Sequence, residues 1–266
     1  MNGKIACVIP SAGWGTVCPD RSIPKVLADV GGQTMISRVI QTVREASLNG
    51  SVIVVIGENG FGTQIRQALS PLAYPDLKFV IQPERRGAAD AVAWALSLLN
   101  GEEHVLVTFG DMPLWRAATF RRLADAHLAG RSVISMVTVA LQAGHQTAKY
   151  GRIVKDDAGR ILAAFEPSEM SGIDLSRAKS VNPSLYLFER QWLADNLGRI
   201  KPMDKGDGFP PEIHLPKLLP IAHDQGVRIT EVHLEDPSEA LGVNTAVDLH
   251  EVVTTLQARM RVQAFA

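Results

Sequence analysis

The sequence predicts an α/β fold: a mostly parallel, mixed sheet with helices on both faces and a small antiparallel insertion. Three observations predict it. Short continuous apolar runs recur, as in Ile5 to Ile9, Val52 to Ile56 and Val105 to Phe109, the kind expected of strands buried on both faces. Between them lie segments of helical spacing, such as Met35, Ile36, Val39, Ile40 and Val43. Near Tyr150 this rhythm gives way to a hairpin-like pair of short strands. Strand and helix alternating through short connections is the pattern of a parallel sheet covered on both faces.

Taken in order, the first strand is Ile5 to Ile9, followed by a glycine-punctuated loop and a helix from Met35 to Ala46. A strand over 51–57, a helix from Phe61 to Leu69 that ends at Pro71, and a strand from Leu77 to Ile81 follow. Gly87 to Leu99 is an alanine-rich helix, His104 to Phe109 a strand, Trp115 to Leu128 a helix with Gly130 at its end, and Val133 to Leu141 a strand. Tyr150 to Val154 and Arg160 to Phe165 flank the turn Asp156-Asp157-Ala158-Gly159. A polar loop through Ser180 leads to a strand at Ser184 to Phe188, which places the antiparallel insertion at about 145–190. Lys201 to Pro211 is a loop rich in Pro, Gly and charge. Glu212 to Gln225 is helical in pattern, with Pro216 suited to a first turn and Pro220 expected to end or kink it. A strand from Val227 to Leu234 and a helix from Asn244 to Met260 close a single domain over 1–266.

Composition bounds the function. The chain has 266 residues, 46% of them apolar and 21% charged, an ordinary balance for a soluble enzyme and ample for a core. With 27 basic and 28 acidic residues it has no overall positive field for a nucleic-acid backbone, and Glu84-Arg85-Arg86 and Arg259 to Arg261 read as solvated faces. Cys7 and Cys18 suit neither a disulfide scaffold nor a zinc site. No run is long enough for a membrane span and the apolar stretch before Pro10 is too short for a signal-peptide core, so a cytoplasmic protein is expected.

The stretch from Ile5 to Leu27 organises the rest. After the strand come Ser11-Ala12-Gly13-Trp14-Gly15-Thr16 and then Ile23-Pro24-Lys25-Val26-Leu27. Gly13 and Gly15 let backbone N–H groups approach an anion, and Lys25 brings a compact positive charge to the same place. It is not a Walker A loop, because no Lys-Ser/Thr follows the glycines at that spacing. Ligands in open α/β sheets bind beyond the carboxyl ends of the strands, where this chain carries the glycine loop, Gln82 with Gly87, Gly110-Asp111 and Gly242-Val243-Asn244. Asp111 suits magnesium or a helix N-cap, and Asn244 a metal or, with Thr245, the start of the last helix. Gln82 offers an amide that can read the edge of a base. The seven His residues are scattered rather than clustered at metal spacing, and Trp14 suits either stacking on a ligand or packing on its own loop.

As a set, these motifs resemble the signature of sugar-nucleotide pyrophosphorylases, L-A-A-G-x-G-T-R-M followed by P-K. They are most similar to the uridylyltransferase domain of bifunctional N-acetylglucosamine-1-phosphate uridylyltransferase, without the hexapeptide repeats of its acetyltransferase half. The resemblance implies a Rossmann-like, GT-A-like nucleotidyltransferase fold and transfer of a nucleoside monophosphate, most simply uridylyl, from a triphosphate to a sugar 1-phosphate. It implies Lys25 and Asp111 as catalytic residues and Mg2+ held by Asp111 and Asn244. Ser11, Ala12, Gly13, Gly15, Thr16, Gln82 and Gly87 would bind nucleotide, and Gly151, Glu166 and Asn182 the sugar. Departures stand beside these matches: Val17 replaces the loop Arg and Cys18 the Met, with Arg21 a possible substitute cation. Ala88 stands where the family has Thr, and Asn182-Pro183-Ser184 replaces Asn-Thr-Gly. A binding module that has lost catalysis, or a nucleotidyltransferase for a molybdopterin or other acceptor, are the alternatives.

Overall fold

Two apolar faces on each central strand make this fold, and the first strand shows why. The protein is described by a computed structural model over residues 3–13, 15, 17, 22–141, 149–176, 178–204, 206, 208 and 210–264. In β1 (Ile5–Pro10), Ile5, Cys7 and Ile9 enter one apolar cluster while Ala6 and Val8 enter the other. β2 (Asn49–Gly57) divides in the same way, with Val52, Val54 and Ile56 on one face and Ile53 and Val55 on the other. Truncating such a fully buried Ile to Ala costs about 2–5 kcal/mol.

α1 (Met35–Glu45), α2 (Gly60–Leu69) and α4 (Ala117–Gly130) cover the first face through Ile36, Val39, Ile40, Ile65, Leu69, Phe120 and Leu123. Thr34 caps α1 by accepting from the Ser37 N–H at 3.3 Å, and Asn59 caps α2 by accepting from the Gly62 N–H at 2.9 Å. α3 (Ala88–Leu96), α5 (Arg190–Leu197) and α6 (Leu218–Asp224) cover the other face through Ala89, Val92, Ala95, Leu193, Leu218 and Leu219. α7 (Ala246–Ala264) closes a smaller cluster with Val30, Met35, Leu114 and Val252.

The remaining strands are β3 (Leu77–Gln82), β4 (His104–Val107), β5 (Ile134–Ala140), β6 (Gly151–Lys155), β7 (Ile161–Phe165), β8 (Ser180–Asn182), β9 (Tyr186–Glu189) and β10 (Ile229–His233). Their order is β3-β2-β1-β4-β9-β5-β8-β6-β7, with β10 beside β5. Pairings among β3, β2, β1 and β4, and that of β10 with β5, are parallel, whereas every pairing made by β9, β8, β6 and β7 is antiparallel. The chain leaves β1 toward β2 and later returns to its other side as β4, so a crevice opens beyond the carboxyl ends of these two strands.

The expected elements form, with three corrections. β8 begins at Ser180, where the polar loop was expected to end, ahead of the strand expected from Ser184, and α5 was not expected at all. Pro220 neither ends nor kinks its helix: it is the third residue of α6, in a first turn whose N–H groups have no intrahelical acceptor to lose. Gly130 is the last residue of α4, and Arg131 takes the left-handed position after it, at φ 47°.

Candidate active site

The crevice beyond β1 and β4 is a cleft of about 220 Å³. It is lined by Ser11, Ala12, Gly13, Gly15, Lys25, Gln82, Gly87 and Asp111, so the structure brings together these residues from four separated stretches. A second hollow of about 530 Å³ shares Gln82, Arg85 and Glu212 with it and continues toward Asn59 and Pro210. Thr16, Trp14, Cys18 and Arg21 lie outside the described residues.

The loop after β1 leaves the sheet with the Ser11 N–H still donating to the Val55 carbonyl at 2.8 Å, and it closes where the Lys25 N–H donates to the Gly15 carbonyl at 2.8 Å. A Cβ on Gly13 would meet no protein atom within 4 Å, so the space beside that backbone belongs to the cleft. Lys25 begins a 3-10 turn, Lys25–Leu27. Its ammonium donates to Asp111 Oδ2 at 2.6 Å and to Asn244 Oδ1 at 2.7 Å. Val17, at the position of the family's loop Arg, packs instead against the apolar cluster of Val30, Met35 and Leu114.

Asp111 caps no helix, whereas the helix start expected at Asn244 or Thr245 falls to Thr245. α4 begins after Arg116, and the Asp111 carboxylate faces Lys25 rather than a helix N-terminus. At α7 the capping is done by a reciprocal pair: Thr245 Oγ1 accepts from the Asp248 N–H at 3.2 Å, and Asp248 Oδ2 accepts from the N–H groups of Asn244 at 3.1 Å and Thr245 at 2.9 Å. The Asn244 amide oxygen takes no part in this capping and accepts from Lys25 instead. The Val243 N–H donates to the Asp111 carbonyl at 3.0 Å, so the two oxygen-bearing loops are joined backbone to backbone. Two hard oxygens converging on one ammonium fit a small divalent cation, which needs few protein ligands when phosphates supply the rest. Among the described residues there is no group of three or more His, Cys, Asp or Glu side chains that would hold a metal instead.

Gln82, the last residue of β3, is nearly fully buried. Its Nε2 donates to the Gly87 carbonyl at 3.1 Å and to Asp90 Oδ2 at 2.7 Å. Gly87 has φ 86°, and a Cβ there would come within 2.6 Å of the Ile213 carbonyl. The segment crossing it is a strap: Met203 and Glu212 exchange backbone bonds of 2.8 and 2.9 Å, the Ile213 N–H donates to Arg86, and the Ala89 N–H donates to Ile213.

The residues expected to bind sugar meet at a different place. β6 and β8 put Gly151 opposite Asn182, and a Cβ on Gly151 would lie 3.2 Å from Glu166 Oε1. None of the three lines the cleft of Lys25 and Asp111. Burial, aided by the neighbouring Glu169, pushes the Glu166 carboxyl above its ordinary range against the opposing pull of His214 and Lys217. Asn182 Oδ1 accepts from the Ser184 N–H at 3.0 Å, while its Nδ2 and the Tyr186 hydroxyl are buried without reaching normal hydrogen-bond geometry with the protein. Burial raises the Tyr186 phenol strongly, with the Glu166 charge adding to it and a contact with the Asn182 side chain, short of normal hydrogen-bond geometry, opposing it. The two places are linked by Tyr150, whose hydroxyl donates to the Ala240 carbonyl at 2.5 Å and accepts from the Gly242 N–H at 3.0 Å.

Sequence reasoning missed Arg85, read as solvated but lining the cleft, as well as Asp90 and Tyr186. Asp90 carried one usable signal, an acidic residue in a first turn shortly after a strand-end Gln.

Residues 7–179 match the family described as MobA-like NTP transferase domain. The chain is 34% identical over 245 residues to "Bifunctional protein GlmU" of Dechloromonas aromatica (strain RCB), an alignment covering 92% of this chain and 50% of that protein. The chain thus spans about half the length of the curated relatives it matches. A solved CMP:2-keto-3-deoxy-manno-octonic acid synthetase in complex with CTP shares the fold at TM-score 0.68 and 16% identity, covering 96% of this chain and 99% of that one. The 4-diphosphocytidyl-2C-methyl-D-erythritol synthase of Anaerococcus prevotii DSM 20548 does so at TM-score 0.63 and 16% identity, covering 97% and 100%. The chain belongs to the MobA-like NTP transferase family, and it is a nucleotidyltransferase.

Proposed function

We propose that the chain transfers a nucleoside monophosphate, most simply uridylyl from UTP, to a sugar 1-phosphate, releasing pyrophosphate. The observation that carries this reading is the Lys25 ammonium set between Asp111 and Asn244 at the mouth of a strand-end cleft whose far wall is Gln82. A sugar-phosphate oxygen forms the new bond to the α-phosphorus as the bond from that phosphorus to the bridging oxygen breaks, and the electron pair leaves with pyrophosphate.

The protein's part is positioning and charge neutralisation. Backbone groups of Ser11, Ala12, Gly13 and Gly15 seat the phosphates, and Gln82 and Gly87 seat the base. Asp111 and Asn244 would hold magnesium, which supplies positive charge to the triphosphate oxygens. Lys25, which lines the same cleft, offers its ammonium charge to the phosphates. Glu166, Asn182 and the backbone at Gly151 bind hydroxyl or acyl groups of the acceptor. Among the described residues no helix is long and apolar enough to cross a membrane, in keeping with small polar substrates reached from water.

The test is pyrophosphate release with magnesium, crossing the common nucleoside triphosphates against a panel of sugar 1-phosphates, with Asp111→Ala as control. Release for one pair, abolished in the control, identifies both substrates. Binding of a triphosphate without release for any sugar 1-phosphate points to a different acceptor.

A further inference from the structure

The geometry around Gln82 points to a positioning residue, Asp90, that fixes which end of the Gln82 amide faces the base. A free Gln side chain is ambiguous: turned one way it presents an acceptor, turned the other a donor. Here the ambiguity is removed. Both groups facing the amide nitrogen are oxygens, the Gly87 carbonyl at 3.1 Å and Asp90 Oδ2 at 2.7 Å, and each can only accept. Turning the amide over would set Oε1 against both of them inside a nearly fully buried site. The nitrogen therefore stays toward Gly87 and Asp90, its two hydrogens are used, and Oε1 is the polar atom left for the cleft. Asp90 is rigidly carried, in the first turn of α3, directly after the Gly87 that the strap clamps.

An acceptor of fixed polarity selects a base edge that offers an N–H. The ring imide of uracil and the exocyclic amine of cytosine both qualify, and the shared chemistry is that donor. This inference rests on the cleft being the nucleotide site, and it adds the polarity that the base edge must present to Gln82.

Calorimetric binding of UTP and N3-methyl-UTP, and of CTP and N4,N4-dimethyl-CTP, separates the possibilities in wild type, Asp90→Ala and Asp90→Asn. In the wild type the preferred parent nucleotide binds at least about tenfold more tightly than its methylated analogue. Asp90→Ala leaves the amide held by the Gly87 carbonyl alone, so its orientation is less firmly set and this ratio falls by about fivefold or more, chiefly through tighter binding of the analogue. Asp90→Asn still offers an acceptor oxygen and keeps the wild-type ratio. Equal loss of affinity for parent and analogue in Asp90→Ala, with the ratio unchanged, overturns the role of Asp90 as a merely structural one would. Failure of every triphosphate to bind the wild type overturns instead the assignment of the cleft. Should Asp90→Ala fail to fold by circular dichroism, Asp90→Leu, which fills the same space without offering an acceptor, carries the same test.

Discussion

The parallel end and the antiparallel end of this molecule treat their polar groups in opposite ways. At the parallel end, Lys25 is held by Asp111 and Asn244, and Gln82 by Gly87 and Asp90, all through bonds of 2.6–3.1 Å. At the antiparallel end, Asn182 Nδ2 and the Tyr186 hydroxyl are buried without good partners, and the Glu166 carboxyl is pushed up by burial. A buried polar group without a partner costs about 1–3 kcal/mol. The parallel end is therefore set before anything binds, whereas the antiparallel end holds a desolvation penalty that a polyhydroxy acceptor would relieve.

The strongest way to break the contrast is at the parallel end. Asp111→Ala is expected to lower the rate of pyrophosphate release by about three orders of magnitude or more, with circular dichroism and Tm near wild type. Lys25→Ala is expected to lower kcat by about 10²–10³-fold with a smaller change in the acceptor KM. The Val243–Asp111 backbone bond survives both substitutions, so loss of fold is not the expected explanation for either result.

Tyr186→Phe sharpens the other half. Deleting a buried hydroxyl that lacks a good partner should stabilise the unliganded protein by about 1 kcal/mol in urea unfolding and raise the acceptor KM by about tenfold. Both changes together mark a group held for a ligand; loss of stability would place Tyr186 in the core alone.

The smallest effect belongs to neither end. His127 is fully buried between Ser135 Oγ at 2.8 Å and the His104 ring at 3.1 Å, and burial lowers its pKa to about 3. A histidine kept neutral by the fold binds fewer protons than in the unfolded chain, so stability falls as pH drops from about 6.5 toward 3. His127→Gln should flatten that acid limb of a urea-unfolding profile without changing the ratio of KM values for the two substrates.

Much of the parallel end was legible because its determinants are local. Apolar runs specify strands, 3.6-residue spacing specifies α1, and residues just past strands specify the cleft. The antiparallel end depends on pairings distant in sequence. β8 has three residues and exists because Val139 and Gly151 flank it, and no pattern in Ser180 to Asn182 states that. α5 was missed because its cap is the side chain of Glu189, which accepts from the Gln191 and Trp192 N–H groups in a role better suited to Ser, Thr, Asp or Asn. The cleft residues could be named in advance, but the Asp90 contact and the orphaned Tyr186 hydroxyl arise only when separate elements pack.

The strap over Gly87 has a consequence for how the chain tolerates change. Its two ends are zipped at Met203 and Glu212 and its far side is bonded to Arg86 and Ala89, so what lies between the zipped ends is a closed loop anchored at its base. Doubling the length of such a loop costs only about 0.6 kcal/mol in closure entropy. Length variation or an inserted reporter peptide between 204 and 211 would accordingly leave the crossing over Gly87 in place, whereas one β-carbon at Gly87, set against the Ile213 backbone, would lift the whole strap. Tolerance to insertion and intolerance to a methyl group thus sit on opposite sides of the same backbone crossing.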